Sequence, residues 1–452
     1  MGARSGASRR RRRGLLRRNE QHIISSRRPM DAGDTSCWAT SLHADLVRLI
    51  GWRVLAGDLL DYVRFRAVCP LWRSSTARPR GRGLVDARFR PRQWMVMAEK
   101  CGLHPGHPEL LGYVRFFNLC TGYFVRSRIP LFENHKVLDS ADGLILLLRE
   151  QDHTVRLLHP FTGDIAVLPP LTTLLRDFGD GLNFSSRDLS ALGDLSATSV
   201  SVSLDGVITV LIIFSWLSRV AFASSGIDHQ WRVSTWSLTS PLWWSVSFKG
   251  RLYVLCYKYY GDDPQFFQID PPQHKDMGLS DRPKLIATCR GKIQPPFHLV
   301  ACDSDIFIIG LSNIPNSVHM LVYRLADLIV NKVVPVTSIG GNILFANYVS
   351  SLSVSARALP TIMGDGIVTT APGDIYFGKN NDLGIYHLKD CTWLPAVDAD
   401  EYHDKWLSKP SSPRNLVHRI FWRRFNLEKF GYYFSWNKTR PSLVKTNWRD
   451  EV

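Results

Sequence analysis

Short apolar runs, each opened by a tight turn, recur along most of the chain from about residue 84. The runs are "DGLILLLRE" at 142, "LDGVITVLIIF" at 204, "FKGRLYVLCY" at 248, "DSDIFIIGL" at 303 and "PGDIYFGKN" at 372. Apolar runs bounded by Gly, Pro, Asp or Asn turns are typical of β-hairpins. Most of the chain is therefore predicted to be β-sheet built from a repeated unit.

The spacing of the repeat favours a propeller. The opening turns fall near Gly143, Gly206, Gly250, Ser304 and Gly373. Four-stranded propeller blades take about 40 to 50 residues, and inserted loops would supply the excess seen here. A less regular unit surrounds "GYVRFFNL" at 112–119, and the segment from Lys405 onward is expected to close the ring. We predict six or seven blades over 84–452. A set of β-sandwiches is less favoured, because it would not naturally repeat one turn–strand–strand unit.

A different periodicity occupies residues 37–76. Leu42, Leu46 and Ile50 recur every four residues, which places them on one face of a helix. Gly51 is expected to interrupt that helix. The fold class is therefore mainly β with a small all-α module at the front, joined through a basic linker at 77–83.

The rest of the module predicts two further short helices. Asp58 is a natural N-cap for the second, with Asp61 placed as in a capping box. Pro70 suits an early position of the third. Three such helices cannot cover all their apolar side chains alone, so some must form an exposed stripe, which marks a partner surface.

The charge of the chain is concentrated at its start. Residues 1–30 hold ten Arg and one Glu, a net +9 of the formal +16. We expect 1–36 to be a disordered tail. Its central run is a candidate nuclear-import signal or a contact for an anionic surface, and comprises Arg9, Arg10, Arg11, Arg12 and Arg13. No helix-turn-helix, zinc finger or RNA-binding aromatic motif accompanies it, so no specific nucleic-acid partner is predicted.

Cysteine usage and hydropathy indicate a compartment. The eight Cys contain no C-x-x-C pair, which argues against a zinc site or a disulfide framework and favours free thiols in a reducing compartment. The longest apolar run, 207–217, is too short to span a bilayer, and no apolar signal core opens the chain. We expect a soluble protein of the nucleus, the cytoplasm or both, without a membrane partner.

Catalytic and metal-binding motifs are absent from the sequence. There is no H-E-x-x-H, G-x-S-x-G, G-x-G-x-x-G or P-loop. His104 and His107 favour a surface turn over a metal site, and the acidic stretch 397–404 favours a solvated loop. We therefore predict a non-catalytic protein with no cofactor and no metal. A propeller enzyme stays an alternative, because catalytic groups on a propeller come from distant loops.

Two parts of the chain resemble known families. "SLHADLVRLIGWRVLAGDLLDYVRFRAVCPLWRSST" at 41–76 strongly resembles an F-box, the helical module of substrate receptors in Skp–cullin–F-box ubiquitin ligases, above all in "RFRAVCPLWR". Residues from about 84 to 400 resemble the β-propeller that follows F-boxes in a large plant family. The phrases that carry this likeness are "VRLLHPFTGDIAVLPPL", "RVAFASSGIDHQWRVSTW" and "YHLKDCTWLP".

The resemblance implies a function. An F-box docks a Skp-type adaptor and through it a cullin, while the propeller binds a protein substrate, here unidentified. It further implies that the adaptor contact, or its direct support, is formed by Leu42, His43, Leu46, Ile50, Leu55, Leu59, Val68 and Trp72.

One position departs from the family pattern. The family usually has Leu-Pro where this chain has Leu42-His43. His43 adds a polar ring at a contact that should be apolar, an expected cost of about 1–2 kcal/mol that weakens adaptor binding without abolishing it. A non-degradative interaction scaffold with a weakened F-box is therefore the alternative function.

Overall fold

The computed structural model defines the fold over most of the chain. The residues it describes are 42–97, 110–149, 151–178, 195–214, 219–238, 242–257, 263–272, 282–312, 314, 319–346, 351–370, 383–395, 420, 432–437 and 440–445. The Arg-rich run, His104, His107 and the acidic stretch 397–404 lie outside these residues. No helix in the described ranges is long and apolar enough to cross a membrane.

Three helices form the predicted module: α1 (Ala44–Gly57), α2 (Leu59–Arg66) and α3 (Pro70–Ser75). Asp58 caps α2, since its Oδ1 accepts from the amides of Leu60 and Asp61 at 2.7 and 3.1 Å. Pro70 opens α3 at its first helical position, as predicted.

The expectation that Gly51 interrupts the first helix was wrong. The helix α1 continues through Gly51, which is buried at the crossing with its neighbours. A Cβ at this position would lie 2.9 Å from Thr76 Cγ2 and 3.4 Å from the rings of Tyr62 and Phe65. Glycine is needed here for the close approach of helices and not as a break.

Six sheets follow the module and form the blades. The first contains β1 (Trp94–Met97), β2 (Tyr113–Asn118) and β3 (Phe124–Arg128). The second contains β4 (His135–Ala141), β5 (Leu144–Arg149), β6 (Thr154–Leu158) and β7 (Ile165–Pro170). The third contains β8 (Leu195–Val202), β9 (Ile208–Phe214), β10 (Val220–Ser224) and β11 (Arg232–Val233).

The remaining blades vary more in strand number. The fourth contains β12 (Leu242–Phe248), β13 (Arg251–Cys256), β14 (Gln265–Ile269) and β15 (Lys284–Thr288). The fifth contains β16 (Ile293–Cys302), β17 (Asp305–Ser312) and β18 (Met320–Arg324), followed by the short helix α4 (Leu325–Ile329). The sixth contains β19 (Asn342–Ala346), β20 (Ser351–Ser355), β21 (Gly366–Thr370), β22 (Leu383–His387) and β23 (Thr392–Pro395).

The core shows that the six blades close a ring. Each pair of adjacent blades, including the sixth and the first, shares one cluster of buried apolar side chains. On β2, Phe116 packs with Leu147 of the second blade, whereas the next residue, Phe117, packs with Phe345 of the sixth. Successive residues of the strand thus point towards the two different neighbouring blades. The predicted propeller is confirmed, with six blades.

The sixth blade differs from the predicted repeat. Its innermost strand is β20, and β19 pairs antiparallel with β20 and parallel with β21. The predicted opening turn at Gly373 lies outside the described residues. Of the expected closing segment, Ile420 is buried in the cluster between the sixth and first blades. The hairpin of β24 (Tyr432–Asn437) and β25 (Arg440–Lys445) forms a separate sheet.

The predicted turns at Gly143, Gly206, Gly250 and Ser304 all join the inner strand of a blade to its second strand. At Asp142-Gly143, both residues have positive φ, 53° and 80°, as two-residue hairpins require. The sequence repeat therefore marks one structural position, the inner hairpin at one mouth of the central channel.

Candidate protein-docking surface

The helix α1 is apolar on two sides. Val47 and Leu55 are buried in the chain, whereas Leu46, Leu49 and Ile50 are exposed. Leu46, Leu49 and Ile50 are spaced i, i+3 and i+4, so they form a continuous strip on the outer face. The helix therefore packs on the rest of the chain through its inner face, and its outer strip is left accessible.

The core of the module is built around aromatic side chains. Val47, Phe65 and Trp72 form its centre, and the rings of Phe65 and Trp72 lie 4.3 Å apart between centroids. Thr76 Oγ1 donates to the Trp72 carbonyl at 2.6 Å and so secures the end of α3. The core of the module therefore forms without a contribution from the outer strip of α1.

Within residues 42–76, five large apolar side chains remain accessible. They are exposed at 39–54% and comprise Leu46, Leu49, Ile50, Val63 and Val68. We call these five residues the exposed apolar set. So many accessible aliphatic side chains within one small module are typical of a surface that another protein covers.

The predicted site residues divide into two groups. Leu46, Ile50 and Val68 belong to the exposed apolar set, His43 is exposed and Leu42 is half-buried. The buried group comprises Leu55, Leu59 and Trp72. These three support the surface from beneath and do not themselves form it.

Sequence reasoning missed several residues that matter here. Leu49 lies on the same face as Leu46 and belongs to the exposed apolar set. Its i+3 spacing from Leu46 was the sequence signal that could have identified it. Tyr62 and Phe65 are buried on α2 together with Leu59, and the helical spacing of leucines did not identify them. Tyr62 also donates from its hydroxyl to the Ala77 carbonyl at 2.8 Å, which holds the start of the linker.

His43 is the N-cap of α1. Its φ is −62°, and its Nδ1 accepts from the Asp45 amide at 3.4 Å. Asp45 Oδ2 lies 3.5 Å from the same nitrogen, and Asp45 Oδ1 accepts from Arg48 at 2.9 Å. His43 is therefore an exposed polar cap at the start of α1.

A carboxylate joins the module to the propeller. Besides capping α2, Asp58 accepts through Oδ2 from Trp94 Nε1 at 2.7 Å and from Asn118 Nδ2 at 3.1 Å. Trp94 and Asn118 belong to β1 and β2 of the first blade. Phe89 adds an apolar contact, since it is fully buried in one cluster with Leu55, Leu59 and Tyr62. The inner side of the module is thus fixed on the propeller.

The linker is held by the second blade. Asp164 accepts from the amides of Gly81 and Gly83 at 2.9–3.0 Å. His159, on the same loop, is fully buried, and its Nε2 donates to the Phe89 carbonyl at 2.9 Å. Burial lowers the pKa of His159, because the charged imidazolium would be desolvated. The neutral ring therefore helps to hold the segment between the helical module and the first blade against the second blade.

A buried ion pair secures the entry to the first blade. Arg90 Nη1 lies 3.0 Å from Asp142 Oδ2 and donates also to the Val200 carbonyl at 3.2 Å. Burial lowers the pKa of the Arg90 guanidinium, while the charge of Asp142 opposes this effect. Arg90 thus ties the segment before β1 to the second and third blades.

The residues around the joint offer little reactive chemistry. Burial raises the pKa of the Cys302 thiol to about 11, and it raises that of Cys120 as well. Both thiols are therefore weak nucleophiles at neutral pH. Within the described ranges, no three His, Cys, Asp or Glu side chains are grouped to hold a metal ion.

Comparison with known proteins identifies the body of the chain. Residues 116–387 match the family model described as the KIB1-4 beta-propeller, more than half of the chain. No curated protein matches the sequence. A solved dihydro-heme d1 dehydrogenase in complex with DHE is similar at 12% identity and a TM-score of 0.26, over 62% of this chain and 46% of that chain.

A second solved structure gives a comparable result. A quinoprotein alcohol dehydrogenase-like protein from Bacteroides thetaiotaomicron is similar at 12% identity and a TM-score of 0.27, over 63% of this chain and 64% of that chain. This chain spans less than two thirds of the length of either matched structure. The family match and the six-bladed ring agree on a propeller, a fold that is consistent with a protein-interaction module, and the chain belongs to the KIB1-4 beta-propeller family.

Proposed function

We propose that the protein is the substrate-recognition subunit of a Skp–cullin–F-box ubiquitin ligase. The helical module docks a Skp-type adaptor and through it a cullin, and the propeller binds a target protein in the nucleus or cytoplasm. The observation that carries this proposal is the exposed apolar set on a module whose inner side is already used by its own propeller. A partner of helical character fits such an outward apolar helix face.

On this proposal the chain works without catalysis. Holding the target beside the ubiquitin-charged enzyme raises the effective concentration of its lysines, and the covalent chemistry takes place on other subunits. The joint through Asp58 supports this role, because it holds the docking surface at a fixed orientation to the propeller. Two rigidly connected binding surfaces are what a bridging subunit requires.

The test is co-purification of the full chain with a Skp-type adaptor. We expect Leu46→Asp combined with Ile50→Asp to abolish adaptor recovery, because two carboxylates would be desolvated at the contact. The matched control is Ile329→Asp with Val330→Asp, which changes two exposed aliphatic residues at the end of α4. Undiminished adaptor recovery by the first variant would refute the proposal.

A second candidate function rests on His43. An exposed polar cap at a position that is apolar in the resembled module favours a scaffold that binds a target without delivering it for degradation. His43→Pro separates the two functions. Target ubiquitination that appears only in the His43→Pro variant would favour the scaffold for the native chain, whereas target ubiquitination already supported by the native chain would favour the ligase subunit.

A further inference from the structure

Positive charge is concentrated in the helical module and the segment that follows it. Residues 42–92 contain eleven arginines and four aspartates, with no lysine and no glutamate, a formal charge of +7. Residues 93–452 contain thirty-five basic and thirty-three acidic residues, a formal charge of only +2. The module and its linker are therefore strongly basic, whereas the rest of the chain is close to neutral.

Part of this charge is already compensated within the protein. Five of the eleven arginines make ion pairs or hydrogen bonds with other residues of the chain: Arg48, Arg64, Arg66, Arg88 and Arg90. Three of the four aspartates pair with these arginines, and the fourth, Asp58, accepts four hydrogen bonds. Every acidic residue of the segment therefore has a partner already.

The other six arginines are exposed and form no ion pair with a described residue. They are Arg53, Arg73, Arg78, Arg80, Arg82 and Arg92. Like charges grouped on one surface produce a positive potential that attracts anionic partners. The guanidinium group matches the planar geometry of a carboxylate and binds it through two hydrogen bonds. The chemistry of this surface therefore suits a partner that presents carboxylates.

These arginines lie beside the exposed apolar set. Arg53 follows Ile50 by three residues on α1, so the apolar strip of this helix ends at a positive charge. The linker begins near the same place, because Val54 and Ala77 pack against one buried cluster. Arg78 is the next residue of the linker and is exposed. The apolar strip therefore has a basic border.

An apolar centre with a polar, charged rim is the usual arrangement of a protein–protein interface. Complementary charge at the rim speeds association and disfavours partners of the wrong sign. Nucleic acids are bound mainly through phosphates and base edges, so the aliphatic strip favours a protein. Building on the ligase function proposed above, we propose that the unpaired arginines select a Skp-type adaptor whose contact face is bordered by carboxylates, and that they steer its association.

The test is the rate of association of the full chain with a purified Skp-type adaptor. Stopped-flow fluorescence follows binding from about 50 to about 500 mM NaCl, a range over which salt screening becomes strong. We expect the association rate constant to fall at least about tenfold over this range and the dissociation rate constant to change little, because rim charges act mainly during the encounter.

A charge-reversal variant locates the effect. Arg53→Glu with Arg78→Glu should associate at least about tenfold more slowly than the native chain at low salt and should lose most of the salt dependence. The matched control is Arg282→Glu with Arg290→Glu, which makes the same change of charge at exposed positions on either side of β15. The fourth blade lies across the ring from the first, so the control should slow association by less than about threefold.

Circular dichroism establishes that both double variants are folded. Association of the native chain that is independent of salt, or equal slowing by the two variants, would overturn the inference of an acidic partner while leaving adaptor docking in place. Absence of any association by the native chain would contradict the ligase function itself, and the acidic adaptor with it. Tighter binding of a mixed-sequence RNA than of the adaptor, lost in Arg53→Glu with Arg78→Glu, would assign the arginines to a nucleic acid and also overturn the inference.

Discussion

Asp58 and Trp94 connect two parts of the chain that differ in secondary structure. The carboxylate caps α2 through one oxygen and accepts the indole N–H of the first propeller strand through the other at 2.7 Å. A single side chain therefore fixes both the start of a helix and the position of that helix on the first blade. The orientation of the exposed apolar set relative to the propeller depends on these contacts.

Loss of this carboxylate should destabilise the joint. We expect Asp58→Ala to lower the free energy of unfolding by about 2–3 kcal/mol, since it removes a helix cap and two bonds to a charged acceptor. The matched control is Asp61→Ala, whose exposed carboxylate pairs with Arg64 at 2.7 Å and should matter by less than about 1 kcal/mol. Urea unfolding measures both, and equal effects would contradict the assigned role.

Two glycines of the inner hairpins should respond differently to a methyl group. Both Gly143 and Gly206 have positive φ, but a Cβ at Gly143 would lie 2.2 Å from the Pro91 carbonyl oxygen, whereas a Cβ at Gly206 meets open space. We expect Gly206→Ala to cost about 1–2 kcal/mol and Gly143→Ala to cost at least about 3 kcal/mol. Thermal unfolding tests the difference. Similar melting temperatures for the two variants would contradict the close approach of the Pro91 carbonyl to Gly143.

Stability should fall in mildly acidic solution. Burial lowers the pKa of His159 and of His135 below the ordinary value of 6.5. Their contribution is fully present above about pH 6.5 and is lost as the pH falls from there towards the folded pKa values, because the unfolded chain takes up protons first. Urea unfolding from about pH 7.5 to about pH 5.5 measures this loss.

A substitution assigns part of that pH dependence. His159→Gln should reduce the slope of stability against pH and leave the share that belongs to His135. A wild-type protein whose stability does not decrease over this range would contradict the neutral, buried state of His159.

Replacing His43 by proline should strengthen adaptor binding. The φ of −62° at this position already suits proline. Recovery of an apolar contact of about 1–2 kcal/mol corresponds to a roughly 5–30-fold lower Kd. Calorimetry with purified adaptor checks this, and His43→Ala, which removes the ring without adding proline, is the control. An unchanged Kd for His43→Pro would mean that this residue lies outside the contact.

Much of the fold followed from local sequence patterns. The inner hairpins at Gly143 and Gly250 were predictable because their turn residues and the flanking apolar runs agree on one conformation. The cap at Asp58 was predictable for the same reason. The order of strands in the sixth blade was not, since pairing of β19 with β21 depends on contacts between distant residues.

The candidate surface was predicted only in part. Periodicity placed Leu46 and Ile50 on one helix face, but it did not show that Leu55 and Leu59 turn towards the propeller. Gly51 was misread because a glycine break and a glycine at a helix crossing look alike in sequence. The distinction depends on Thr76 and Phe65, which approach only in the folded chain.

Hydroxyl-radical footprinting of the full chain with and without a purified Skp-type adaptor tests the central claim most directly. Side chains covered by a partner are oxidised more slowly. The account predicts reduced oxidation at Leu46, Leu49 and Ile50, with unchanged oxidation at Leu111 and Tyr123, which are exposed on the first blade. Unchanged oxidation of the α1 residues in the presence of the adaptor would contradict it.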